Sequence, residues 1–143
     1  MGYKKEDISS IDTHYLTEAT IVFLLAIAAI VLNQRMIRYG IIFESNDIKY
    51  HISWLQYFSQ QLSEGIVYPR WLTGHNYGYG SPTFVFYPPL VYYLGSLLKF
   101  IGLNIEQAII ALFSLAIFFA GFNFYLCGCD RWGNIASFMG ALC

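Results

Sequence analysis

Apolar residues gather in long uninterrupted segments along most of this chain. The first segment centres on residues 19–32, and no charged residue lies between Glu18 and Arg35. Apolar neighbours extend it to about twenty residues, the length that a helix needs to cross a bilayer. The pattern therefore predicts a first membrane span over residues 16–37, preceded by a polar tail over residues 1–15.

A second apolar segment predicts a span over residues 82–100. No charged residue occurs from Trp71 to Leu98, so nothing in this stretch opposes burial in lipid. Pro88 and Pro89 lie in its first turns, where a helix tolerates a missing N–H best.

A third segment predicts a span over residues 105–127. Asn104 is a good N-cap residue, and Gln107 stands three residues later, which is the spacing of a capping box. The loop before Asn104 is so short that the second and third spans must form an antiparallel helical hairpin.

The apolar segment 134–143 follows a polar turn and is too short to cross a hydrocarbon core of about 30 Å. We interpret it as the start of a fourth span. The sequence is then expected to be the N-terminal part of a longer protein, in which the chain beyond Cys143 is a partner of the spans seen here.

The loop over residues 38–81 contains one segment with a different pattern. Residues 47–64 are polar overall, but apolar residues recur at helical spacing and form one face. These residues are Ile48, Ile52, Leu55, Phe58 and Leu62. The pattern predicts an amphipathic helix that lies on the membrane surface, with its apolar face against lipid or against the other spans.

Composition supports an all-α integral membrane protein with about three full transmembrane helices, a truncated fourth and one surface helix. The chain is 57% hydrophobic, 19% aromatic and 12% charged, and its mean hydropathy is +0.48. Average soluble domains carry about 25% charged residues. A net charge of −1 argues against nucleic acid as a partner. Cys127, Cys129 and Cys143 have neither the number nor the spacing of a disulfide framework or a zinc site.

Asp47 is the first candidate for chemistry. It stands at the start of the surface helix, and His51 lies four residues later on the same face. A carboxylate at the boundary of water and lipid can act as a general base or bind a divalent cation, with His51 as a second catalytic candidate. The alternative is that Asp47 serves only as the N-cap of the helix.

The loop after the surface helix supplies four candidates for substrate binding. Arg70 could hold a phosphate bidentately, although an interfacial arginine is an equal alternative. His75 could bind a ligand or the loop itself. Tyr77 and Tyr79 alternate with glycines, a pattern that suits a sugar or headgroup site and equally suits a rigid loop that re-enters the interface.

Three short motifs in this region carry a family resemblance. They are Pro-Arg-Trp at 69–71, Gly-Ser-Pro at 80–82 and Phe-Tyr-Pro-Pro at 86–89. Together they resemble a bacterial family of polytopic membrane proteins labelled as related to 6-pyruvoyl-tetrahydropterin synthase. The resemblance covers about residues 47–143. That family in turn resembles the GT-C glycosyltransferases, which take sugars from polyprenyl-phosphate donors.

The resemblance implies the N-terminal part of a GT-C-like glycosyltransferase in a bacterial inner membrane, with a polyprenyl-phosphate sugar donor as partner. Asp47 matches the acidic residue that these enzymes use as a base or metal ligand, but Asn46 precedes it, so a paired acid is absent. The alternative is a non-enzymatic polytopic protein, either an assembly subunit or a transporter-like component. The scarcity of ionisable residues within the spans counts against transport.

Overall fold

In this computed structural model the backbone is described for residues 6–40 and 47–142, and side chains for residues 15–40 and 47–142. Every regular element in these ranges is a helix, which confirms the predicted α-helical class. The helices are α1 (Glu6–Leu32), α2 (Gln34–Tyr39), α3 (Ile48–Ser63), α4 (Thr83–Phe86), α5 (Leu90–Phe100) and α6 (Ile105–Leu142), with a 3₁₀ turn at Asn76–Gly78.

The chain divides into two compact units. The first contains Met1–Leu32 and Ser114–Cys143, and the second contains Asn33–Phe113. Helix α1 therefore belongs to the first unit, whereas α2 to α5 belong to the second.

Two of the described helices are long and apolar enough to span a membrane. They are α1, whose residues Tyr15–Leu32 have a mean hydropathy of 2.3, and α6, with a mean hydropathy of 2.1. The predicted span 82–100 is divided into α4 and α5, and the 11 residues of α5 extend for about 16 Å. A third full span and the start of a fourth stay predictions.

The first unit contains a helical hairpin. Helix α6 is interrupted at Gly133, where φ is 75° and ψ is 167°. Beyond this point the chain turns back, because a Cβ atom on Gly128 would lie 2.6 Å from the Ser137 hydroxyl and one on Gly140 would lie 2.6 Å from the Phe124 ring. The hairpin packs with α1 around a buried cluster of Ile21, Leu25 and Tyr125.

The second unit is built by packing α3 on α5. Ile48, Leu55 and Phe58 of the predicted apolar face are buried, together with Phe84 and Tyr92. Their rings form edge-to-face pairs, with centroids 4.7 Å apart for Phe58 and Phe84 and 4.6 Å apart for Phe84 and Tyr92. Such pairs contribute about 0.5–1.5 kcal/mol beyond area burial. The apolar face of α3 is thus covered by protein.

The predicted capping box at the start of α6 is confirmed. The Gln107 backbone N–H donates to Asn104 Oδ1 at 2.8 Å, and the Asn104 N–H donates to Gln107 Oε1 at 3.1 Å. This reciprocal pair satisfies two backbone donors at the helix end and so fixes where α6 begins.

Candidate functional site

Asp47 lies at the position where α3 begins, and its side chain is exposed. Its backbone carbonyl accepts hydrogen bonds from the N–H groups of Tyr50, at 3.0 Å, and His51, at 3.3 Å. Within the described part of the chain, the Asp47 carboxylate makes no capping hydrogen bond. The backbone of Asp47 starts the helix, while its carboxylate is not used as a cap.

His51 is held in place by a buried phenol. Its Nδ1 lies 2.7 Å from the Tyr92 hydroxyl, and its ring packs edge-on against Trp54 with centroids 5.3 Å apart. A hydrogen bond at one ring nitrogen selects the tautomer and orients the other nitrogen. His51 is therefore positioned through Nδ1, and its Nε2 is the atom left to meet a ligand.

The loop that follows α3 is fastened to this helix. The Gln61 side-chain amide donates to the Trp71 carbonyl at 3.0 Å and to Thr73 Oγ1 at 3.1 Å. An antiparallel β-bridge with two hydrogen bonds, of 2.9 and 3.1 Å, then joins Leu72 to Ser81. The bridge brings the two ends of the loop 72–81 together. These contacts fasten the loop to α3 and hold its two ends together.

Two glycines permit the close packing of this loop. Gly80 has φ of +82°, and a Cβ atom there would overlap the Trp71 indole. A Cβ atom on Gly74 would overlap the Tyr57 ring. Any side chain at these positions would push the loop away from its neighbours.

The tip of the loop presents two tyrosines to solvent. Tyr77 is fully exposed and has φ of 59° and ψ of 28°, whereas Tyr79 is 87% exposed. Asn76 also has a positive φ, of 52°. A left-handed conformation in a bulky residue such as tyrosine stores strain of about 1–3 kcal/mol, which is typical of ligand-binding positions.

An open depression of about 540 Å³ lies between α3 and this loop, lined by Lys49, Tyr50, Ser53 and His75. Only His75 among these was a candidate from sequence. Lys49 and Ser53 share a face of α3 because they are four residues apart. Their spacing is the signal that could have identified them, but the loop residue that completes the depression is distant in sequence.

The remaining predicted residues are not brought into this depression. The Arg70 guanidinium lies over the Tyr68 ring, 5.0 Å from its centroid, and the side chain is exposed. Tyr77 and Tyr79 point into solvent at the loop tip. The roles of these three residues in substrate binding stay predictions.

The metal role of Asp47 stays a prediction. In residues 15–40 and 47–142, no three His, Cys, Asp or Glu side chains form a group that could hold a metal ion. Divalent cations in proteins need several oxygen ligands, and within these ranges Asp47 is not part of such a group.

No family model, curated protein or solved structure matches this chain. The family resemblance therefore stays an expectation from the sequence motifs.

Proposed function

We propose that this chain forms part of a GT-C-like glycosyltransferase of the bacterial inner membrane, which transfers a sugar from a polyprenyl-phosphate donor. One observation supports this best. Asp47, with a carboxylate not used as a cap, starts the same helix whose next turns line an open polar depression. The two apolar helices α1 and α6 are compatible with a membrane location.

Asp47 acts as the general base in this proposal. Its exposed carboxylate accepts the proton of an acceptor hydroxyl, the acceptor oxygen bonds to the anomeric carbon, and the bond from that carbon to the phosphate oxygen breaks. Polyprenyl phosphate leaves with the electron pair. General-base assistance of this kind contributes typically 10²–10⁴-fold to a rate.

His51 orients substrate beside this base. It stands one helical turn after Asp47, and its Nδ1 contact with Tyr92 fixes the ring. Tyr92→Phe is expected to leave the imidazole in place but free to rotate. Its effect on turnover should therefore be smaller than that of removing His51.

The test is Asp47→Asn in the full-length protein, assayed in membranes for sugar transfer from a lipid-linked donor. We expect turnover to fall by about 10²-fold or more, because the amide cannot accept the proton. Glu64→Gln is a matched control: Glu64 is an exposed carboxylate at the other end of α3, where it accepts a 3.0 Å hydrogen bond from Gln60. The proposal is wrong if both variants transfer sugar at the wild-type rate.

A transporter-like component is the second candidate, and one cluster in the first unit favours it. Glu18, within the apolar segment of α1, accepts hydrogen bonds from the Tyr125 hydroxyl at 2.8 Å and from the Asn134 amide at 3.2 Å. Ionisable residues inside spans often mark transport pathways. Under this alternative, Glu18→Gln abolishes a flux across proteoliposome membranes, whereas Asp47→Asn leaves it unchanged.

A further inference from the structure

The depression between α3 and the loop has a lining of uniform chemistry. Lys49, Tyr50, Ser53 and His75 can each donate a hydrogen bond, and Lys49 adds a full positive charge. No carboxylate is among these lining residues of the described chain. A surface made of donors and one cation selects an anion over a neutral sugar.

His75 is the most firmly held member of this lining. Its backbone N–H donates to the Leu72 carbonyl at 3.2 Å, and its carbonyl accepts from the N–H groups of Gly78, at 3.2 Å, and Gly80, at 2.9 Å. Its ring meets the Tyr57 ring edge-on, with centroids 5.9 Å apart. The imidazole thus has a fixed place at the wall of the depression.

The same imidazole carries an unsatisfied polar atom. His75 Nδ1 is buried, and no hydrogen-bond partner for it exists among the described residues. Buried polar groups are almost always hydrogen-bonded, so such an atom calls for an explanation. An anion bound at this wall of the depression would supply the missing hydrogen-bond partner.

Lys49 and Ser53 stand opposite His75 on the helix side of the depression. Lys49 is exposed, so its ammonium group can turn towards a bound anion without unpacking the helix. Lysine binds phosphate as a mobile point charge, and the Ser53 hydroxyl one turn later adds a directed donor.

We propose that this depression binds a phosphate group, with Lys49 as the counter-charge and His75, Ser53 and Tyr50 as hydrogen-bond donors. The proposal deepens the proposed function, since it places a phosphate on the helix that Asp47 begins, and it rests on that function only for the identity of the natural ligand. Binding measured without turnover therefore tests it separately from the glycosyltransferase proposal.

The experiment uses the full-length protein in phosphatidylcholine nanodiscs, with histidine labelled by ¹⁵N. The His75 imidazole signal is assigned by its loss in His75→Gln. Two probes are titrated: inorganic phosphate in solution, and phosphatidic acid as a fraction of the nanodisc lipid. We expect at least one probe to shift the His75 signal saturably, because the phosphate approaches its ring.

Substitutions identify the cation that binds the probe. We expect Lys49→Gln to weaken binding about fivefold and Ser53→Ala about twofold, since a charged contact contributes more than a neutral hydrogen bond. Arg38→Gln is the control, because Arg38 is an exposed cation on α2 that does not line the depression. Arg70→Gln tests the sequence-based alternative.

Each result decides the proposal. A response to phosphatidic acid alone supports a lipid phosphate as ligand, and a response to both probes supports a site that also accepts free phosphate. Absence of a saturable shift with either probe overturns the proposal. It is also overturned if Lys49→Gln weakens binding no more than Arg38→Gln, or if Arg70→Gln alone weakens it. If the full-length protein binds phosphate but transfers no sugar, only the proposed enzyme activity is rejected.

Discussion

The two units of this chain are stabilised by different kinds of packing. In the second unit, aromatic rings of α3, α4 and α5 interlock, and Phe58 and Phe84 are fully buried. In the first unit, glycines let the arms of the α6 hairpin approach closely, and a carboxylate, a phenol and an amide meet at Glu18. Buried aromatic rings characterise the second unit, whereas close approach of helices at glycines and a polar cluster, both common between membrane helices, characterise the first.

This difference indicates where each unit obtains its stability and where function can reside. Aromatic burial lets the second unit hold a strained, exposed loop and an open depression on a firm base. The helices of the first unit expose large apolar side chains, among them Phe23, Ile30 and Phe119. Such helices are suited to lipid contact, and the candidate site at Asp47 and the depression lies in the second unit.

The largest expected effect comes from the aromatic core of the second unit. Phe58→Ala should lower the free energy of unfolding of this unit by about 3–5 kcal/mol, because it removes a fully buried ring and leaves a cavity. The measurement is denaturant unfolding in detergent, followed by the fluorescence of Trp54 and Trp71 in a Trp132→Phe background. These two tryptophans report on the second unit alone.

Phe86→Ala is the matched control for this prediction. Phe86 is 83% exposed, so its truncation should change the same unfolding curve little. Equal shifts for Phe58→Ala and Phe86→Ala would contradict a second unit stabilised by its buried rings.

Local patterns predicted much of the fold. The helical spacing of apolar residues located α3, and Asn104 with Gln107 located the start of α6, because both signals depend on residues close in sequence. The division of residues 82–100 was not predicted. Tyr87 is extended, with ψ of 135°, as is favoured before a proline, so Pro88 separates two helices rather than opening one.

The candidate site was less predictable than the helices. Asp47 and His51 were identified because they share one helix face, a property that sequence shows directly. Lys49 and Ser53 share a face too. Their position opposite His75, however, depends on the path of the loop that follows α3. The cluster at Glu18 depends likewise on residues more than a hundred positions away. Patterns along the chain do not encode such long-range contacts.

A smaller effect is expected from separating the arms of the hairpin in the first unit. Gly128→Leu should lower the free energy of unfolding of the first unit by about 1–3 kcal/mol. The reason is that the new side chain would collide with Ser137 on the facing arm of the hairpin. Trp132 fluorescence during unfolding, in a Trp54→Phe and Trp71→Phe background, reports the change. Ala136→Leu adds three carbon atoms, against four for Gly128→Leu, at an exposed position and should be neutral. A neutral Gly128→Leu would show that close approach does not stabilise this unit.

The smallest effect concerns the hydrogen bond between Glu18 and Tyr125. A double-mutant cycle of Glu18→Gln and Tyr125→Phe should give a coupling energy of about 0.6 kcal/mol, the average found for hydrogen bonds between membrane helices, and no more than about 1.7 kcal/mol. The same Trp132 unfolding assay measures it. A control cycle pairs Tyr125→Phe with Asn123→Ala, since Asn123 is exposed and donates to the Phe119 carbonyl of its own helix. In this control cycle, the effects of the two substitutions on the free energy of unfolding are expected to add. If the Glu18 cycle were additive as well, the polar cluster would contribute nothing to holding α1 against the hairpin.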